Sequence, residues 1–235
     1  MSDKSSFPFL KHSLIKAFLL CAFIFTSVGS FSQKNKRFTG MLEYKITIRD
    51  SAMQTLIPES RMIVFTNDTI VRTENNTGQL GQQVVLRHIE KNKSYLLLNT
   101  PLGKFAIQTD LNSSDTIQKI SHFSFEKKCM KRKLLGKKMK RMMVSHPDFE
   151  EPQEFWYLPT ISSKYNNAFT EMPGLPVKYS IPTRDGIMDY ELVKISEFLP
   201  ERDMFGVPSD YERISFDGFM DLMIKSQEVP IPDQE

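Results

Sequence analysis

The chain has 235 residues, a formal net charge of +3 and 40% hydrophobic residues. This length suits one domain of ordinary size, which buries its core without disulfide staples. One of its two cysteines, Cys21, lies in an N-terminal segment that we expect to be removed, which excludes a disulfide within the processed chain.

The N-terminal segment 1–32 has the pattern of a secretory signal peptide. Lys11 and Lys16 precede an apolar run over 17–28, and small residues precede a cleavage site before Gln33. The run is shorter than the about 20 apolar residues of a membrane-spanning helix. The sequence therefore favours cleavage over anchoring and predicts an exported protein.

Most of the remaining chain alternates apolar and polar residues with the period of two that half-buried strands require. The clearest case is one long strand over 38–49. Turn-forming residues at 66–68 and 91–93 predict two hairpins. The hairpins join four strand-like segments: 61–65, 69–73, 84–90 and 94–98.

Further strand-like segments follow, with prolines around them that disfavour long helices. They are 104–109, 119–125, 140–144, 154–158, 176–181 and 190–196. One segment, 215–227, predicts a helix with Phe216, Phe219, Met220 and Met223 on one face.

Short strands separated by turns predict a mainly β protein with an antiparallel sheet, either curved or closed, and one or two short helices. We expect one β-rich domain over 33–228 and a flexible tail over 229–235.

The sequence contains no common catalytic signature, since it lacks a GxSxG elbow, a phosphate-binding glycine loop and an HExxH pair. His88, His122 and His146 have no neighbouring ligand at metal spacing. Cys129 lies among lysines, but no base is singled out beside it. As the one cysteine of the processed chain, it is expected to be buried, and the alternative is pairing with another chain. We therefore predict no enzyme, metal or cofactor, and keep an enzyme based on Cys129 or His88 as the weaker hypothesis.

Segment 127–141 holds nine basic residues and no acidic one. Near an anionic membrane each of them contributes about 1 kcal/mol before salt screening. The segment predicts contact with an anionic surface through Lys137, Lys138, Lys140 and Arg141. The alternative is a solvated strand edge whose lysines discourage aggregation. Export argues against nucleic acid as a partner.

The second half of the chain carries a series of landmarks in a fixed order: Gly136, Trp156, Gly174-Leu175-Pro176 and Pro208-Ser209-Asp210-Tyr211. This series resembles the GLPGLI-type family of Gram-negative envelope proteins, a group of unknown function related in fold to the LolA/LolB lipoprotein carriers. The resemblance covers residues 38–215. Met139 stands where the family often has a cysteine, and Cys129 lies upstream of that position. The resemblance therefore assigns no role to Cys129.

The resemblance implies a single, strongly curved antiparallel sheet, a LolA-like half-barrel with an apolar groove. The expected protein is periplasmic or associated with the outer membrane, and its groove holds a lipid or a lipidated protein. Seven strand residues are candidates for the groove: Leu42, Tyr44, Ile46, Phe105, Phe123, Trp156 and Tyr179. The alternative hypothesis is an envelope structural or interaction protein with a closed sheet and no small-molecule ligand.

Overall fold

The computed structural model describes residues 37–49, 60–77, 81–91, 93–110, 122–183 and 186–227. The predicted signal peptide (1–32) and the predicted tail (229–235) lie outside these residues, and both stay predictions.

The described part of the chain contains twelve strands and one α-helix. The strands are β1 (Gly40–Ile48), β2 (Ser60–Thr66), β3 (Ile70–Thr77), β4 (Gly81–His88), β5 (Lys93–Thr100), β6 (Gly103–Asp110), β7 (Ser124–Leu134), β8 (Lys137–Ser145), β9 (Gln153–Leu158), β10 (Leu175–Thr183), β11 (Gly186–Glu197) and β12 (Glu212–Ser215), and the helix is α1 (Phe216–Gln227). Both predicted hairpins are confirmed, as β2–β3 and β4–β5.

The strands form a single curved, open sheet in the order β12-β6-β5-β4-β3-β2-β1-β11-β10-β9-β8-β7. Eleven strands pair antiparallel with their neighbours, whereas β12 runs parallel to β6. The predicted fold class is confirmed. The sequence pattern did not predict β12, which is only four residues long.

Alternation along β1 defines the two faces of the sheet. Leu42, Tyr44 and Ile46 are buried, and the residues between them are half-exposed. Leu42 is paired with Val64 of β2 and Tyr44 with Met62, so the same face continues across the hairpin. We call this face the inner face and the opposite one the outer face.

Segment 159–174, which joins β9 to β10, packs against the inner face, and we call it the cover segment. It contains a short 3-10 helix over Ser163–Tyr165. Its Ile161, Phe169 and Met172 are buried within the main hydrophobic core. The centre of the inner face is therefore covered by the chain itself.

Helix α1 packs on the inner face at the other end of the sheet. Phe219 contacts Phe105 of β6, with ring centroids 5.5 Å apart, and Ile107 completes this separate cluster. The predicted helix is confirmed, but its predicted apolar face is only partly correct. Phe219 and Met223 pack on the sheet, whereas Phe216 and Met220 are exposed.

Gly174 lies where the cover segment returns to β10. A Cβ placed on it would lie 2.2 Å from the carbonyl oxygen of Leu158. This landmark glycine is thus required by a close backbone approach, which lets the cover segment close onto β9.

We predict that Gly174→Ala destabilises the protein, because the added methyl group forces backbone atoms apart. The expected loss is about 1–3 kcal/mol in the free energy of unfolding, measured by urea denaturation. Gly206→Ala is the matched control, since a Cβ there meets no atom closer than the Asp203 oxygen at 3.8 Å. Equal stability of the two variants would contradict this explanation.

Candidate functional site

Most candidate groove residues lie in the main core rather than on an open surface. Leu42, Tyr44, Ile46 and Tyr179 are at most 8% exposed and belong to the cluster that the cover segment closes. Phe123 is half-buried and packs against the same cluster.

The other two candidates do not face the cover segment on the inner face, although Trp156 is buried and belongs to the main core. Phe105 belongs to the separate cluster under α1. Trp156 lies on the outer face, because successive residues of a strand point to opposite sides and its neighbour Phe155 faces Phe169. The seven candidates therefore do not form one surface.

Phe169 of the cover segment occupies the centre of the inner face. Its ring lies 5.3 Å from that of Phe155, 5.4 Å from that of Tyr179 and 5.1 Å from that of Phe123, measured between centroids. All three pairs have the edge-to-face geometry that aromatic rings favour. Phe169 thus packs directly on two of the candidate groove residues, Phe123 and Tyr179.

A polar contact holds one end of the cover segment to the turn between β2 and β3. Lys164 Nζ donates to Asp68 Oδ1 at 2.6 Å, and the Tyr165 hydroxyl donates to the same oxygen. Arg37 adds an ion pair with Asp68 at 3.4 Å. Asp68 has a φ of 76°, a left-handed conformation that Asp tolerates in turns.

These contacts shift the pKa values of the Asp68 carboxyl group and the Tyr165 hydroxyl group. Burial raises the pKa of Asp68, but the hydrogen bonds from Lys164 and Tyr165 and the charges of Lys164 and Arg37 outweigh it, so the pKa lies below its ordinary value. Burial and the hydrogen bond to Asp68 raise the pKa of Tyr165. A charged carboxylate therefore holds a neutral phenol and an ammonium group.

A second polar contact comes from Arg87 of β4. Its Nε donates to Asn167 Oδ1 at 2.8 Å, and its Nη2 donates to the Lys164 carbonyl. Asn167 in turn donates to Thr73 Oγ1 at 3.2 Å. Burial lowers the pKa of Arg87 to about 10, so the guanidinium stays charged at neutral pH.

We call the Asp68 and Arg87 contacts with the cover segment the rim contacts. Sequence analysis missed them, because segment 159–174 has neither the strand nor the helix period. Asn67-Asp68 was recognised only as a turn. No local signal links this turn to Lys164, which lies 96 residues further along the chain.

The basic segment forms the hairpin of β7 and β8, and alternation along β8 divides the four predicted contact residues between the two faces. Lys138 and Lys140 lie on the inner side, opposite Lys133 and Lys131. Lys137 and Arg141 lie on the outer side. There, Lys137 pairs with Glu197 at 3.0 Å and Arg141 with Glu154 at 3.1 Å.

Trp156 belongs to this outer-face network. Its Nε1 donates to Glu154 Oε1 at 2.6 Å, and the Arg132 guanidinium lies over its ring at 5.2 Å. These contacts give the indole a structural role on the side of the sheet opposite Tyr179.

Cys129 is exposed, so the expectation of a buried thiol is wrong. It lies in β7 where pairing with β8 is irregular, between Lys127 and Lys131. Among the described residues, no three His, Cys, Asp or Glu side chains are grouped so as to hold a metal ion.

No described helix has both the length and the apolar character needed to cross a bilayer.

No protein-family model and no curated protein sequence matches the chain. Two solved structures of PNGF-II are similar in fold. The C2 crystal form is 15% identical over 85% of this chain and 35% of PNGF-II, with a TM-score of 0.50. The P21 form is 14% identical over 85% and 36%, with a TM-score of 0.51. The chain thus spans about a third of the length of PNGF-II, and at these identities the similarity shows the fold alone.

A third structure, MucB in complex with MucA(peri), is 12% identical over 75% of this chain and 56% of that one. Its TM-score is 0.40.

We predict that Asp68→Asn weakens the attachment of the cover segment, because it removes the charge that Lys164 and Arg37 contact. The expected loss at pH 7 is about 1–3 kcal/mol in the free energy of unfolding. The pKa of Asp68 is depressed, so its stabilisation is present above the unfolded value of about 4 and is lost as the pH falls through the lower folded-state value.

Urea denaturation from pH 7 down through the folded-state pKa of Asp68 tests both the loss of stability and its pH dependence. The difference between the wild type and the variant should shrink in acid. Asp210→Asn removes an exposed ion pair with Lys104 and is the control, for which we expect little change. A pH-independent difference for Asp68→Asn would contradict the electrostatic explanation.

Proposed function

We propose that the protein is an exported binding protein of the Gram-negative envelope, which binds an anionic macromolecule on the surface of its sheet and holds no small-molecule ligand inside it. Export is supported by the signal-peptide pattern of segment 1–32. Membership of the GLPGLI-type family, and a location in the periplasm or at the outer membrane, rest on the ordered landmarks around Trp156 and Gly174.

The observation that carries this proposal is the closed inner face. The candidate groove residues Leu42, Tyr44 and Tyr179 are at most 2% exposed, and Phe169 lies among the aromatic rings beside them. A lipid chain would have to displace Phe169 and replace its edge-to-face contacts. Interiors packed in this way have no spare volume for a ligand.

The basic hairpin supplies the binding surface in this proposal. Its lysines give the protein a positive region, which attracts anionic partners and suppresses contacts with cationic ones. Lys137 and Arg141 form ion pairs with glutamates on the outer side. Of the four predicted contact residues, Lys138 and Lys140 on the inner side therefore remain to bind an anionic partner.

A carrier of a lipid or a lipidated protein is the second candidate, and one observation favours it. The cover segment is attached at its rim by polar groups, through Asp68 and Arg87, and polar contacts exchange readily with water. If these rim contacts opened, the aromatic surface around Tyr179 would be exposed as a groove.

Native mass spectrometry of the full-length protein, expressed in a Gram-negative host and purified gently, tests the first candidate. We expect the intact mass of a chain that begins at Gln33, without stoichiometric lipid. We also expect the folded protein not to bind a hydrophobic dye, because the inner face is closed.

Dye binding by Asp68→Asn, below its unfolding temperature, distinguishes the two candidates. A closed interaction protein should remain dye-negative, and a carrier should bind more dye once the rim contacts are weakened. Co-purified lipid, or a gain of dye binding in this variant but not in Asp210→Asn, would overturn the first candidate in favour of the second.

A further inference from the structure

Four lysines of the β7–β8 hairpin share its inner side, and we call them the lysine quartet: Lys131, Lys133, Lys138 and Lys140. The register places Lys131 directly opposite Lys140 and Lys133 directly opposite Lys138. All four side chains are exposed. Within the described ranges, no carboxylate lies at ion-pair distance from any of them.

This arrangement has an energetic cost, because like charges directly opposite each other across a strand pair destabilise the sheet. Three neighbouring basic residues are instead neutralised by ion pairs with glutamates. Lys128 pairs with Glu126, Lys137 with Glu197 and Arg141 with Glu154. The quartet is thus a concentrated positive patch that the described part of the chain does not neutralise.

The quartet lies beside an open edge of the sheet. Strand β7 is eleven residues long and ends the strand order, and among the described residues it pairs with β8 alone. The opposite edge strand, β12, has only four residues and leads directly into α1. Beside Lys131 and Lys133, no described strand lies on the side of β7 away from β8, and a strand edge of this kind presents backbone donors and acceptors to another extended chain.

We propose that the β7 edge and the lysine quartet together bind an extended acidic polypeptide segment, with carboxylates at alternate positions. This inference rests on the proposed function and names the class of its partner. A strand added to β7 would lie about 5 Å away, and its alternate side chains would face the inner side beside Lys131 and Lys133.

Phe125 adds a second element of recognition. It is on the inner side of β7, opposite Val144, and 36% of it is exposed. An apolar residue further along the bound segment would cover this ring. The surface therefore fits a strand that carries alternating carboxylates at one end and an apolar side chain at the other.

The combination favours a polypeptide over a membrane. A phospholipid headgroup would use the charges of Lys131 and Lys140 but leave the backbone groups of the β7 edge unpaired. The lysines also repel a second copy of the same edge, which disfavours self-association through β7. An acidic strand satisfies both the charges and the backbone.

The test uses the full chain and a fluorescein-labelled peptide with alternating Glu and Val, followed in fluorescence anisotropy. Replacing all four quartet lysines by Gln should weaken binding about tenfold or more, since each exposed ion pair contributes a fraction of a kcal/mol. The control variant replaces four other exposed lysines by Gln: Lys91, Lys178, Lys194 and Lys225. It has the same net charge, and we expect it to bind as the wild type does.

A peptide of the same sequence with N-methylated backbone amides separates strand pairing from charge attraction. We expect it to bind much more weakly, and we expect hydrogen exchange to show protection of β7 amides only with the unmodified peptide. Thermal unfolding of both lysine variants confirms that each is folded.

Equal affinity of the two lysine variants would overturn the role of the quartet, and equal binding of the methylated peptide would overturn strand addition. Vesicles of phosphatidylglycerol and phosphatidylcholine are the comparison. Quartet-dependent binding to vesicles without binding to the peptide would falsify the polypeptide partner. None of these results bears on the dye and lipid measurements, so failure of this proposal is distinguishable from failure of the closed inner face in the proposed function.

Discussion

The packing of the cover segment onto the inner face is the interaction on which the rest of this structure depends. A sheet whose inner side carries Leu42, Tyr44 and Tyr179 must bury that side, and burial of each large side chain contributes about 1.5–3 kcal/mol. Phe169 supplies the central contact with three rings. Gly174 allows the chain to close over them by its near contact with the Leu158 carbonyl.

The rim contacts determine where the cover segment lies, while the aromatic packing determines how firmly it is held. Asp68 and Arg87 approach it from different hairpins and contact neighbouring positions, Lys164 and Asn167. Polar contacts are directional, so they select one placement among several that apolar packing alone would permit. Because polar contacts place the cover segment and aromatic packing holds it, both candidate functions are compatible with it. It remains closed in the first candidate and detaches in the second.

The two edge strands of the open sheet avoid unwanted pairing with other chains in different ways. At one end β12 is short and is followed at once by α1, whose Phe219 packs on Phe105. At the other end β7 is long, and Lys131 and Lys133 project from its inner side. Lysines keep a free edge from pairing with copies of itself while leaving it open to an acidic strand. The proposed binding surface therefore follows from how the sheet avoids aggregation.

The sequence by itself determined the strands of the two predicted hairpins and the position of α1, because period-two and helical patterns arise from local backbone geometry. It also located the basic segment, but it selected Lys137 and Arg141 together with Lys138 and Lys140. The structure separated these pairs, because β8 begins at Lys137 and alternation along it puts Lys137 and Arg141 on the side opposite Lys138 and Lys140. The cover segment, β12 and the burial of the candidate groove were likewise decided by contacts between residues far apart in the chain, which no local pattern encodes.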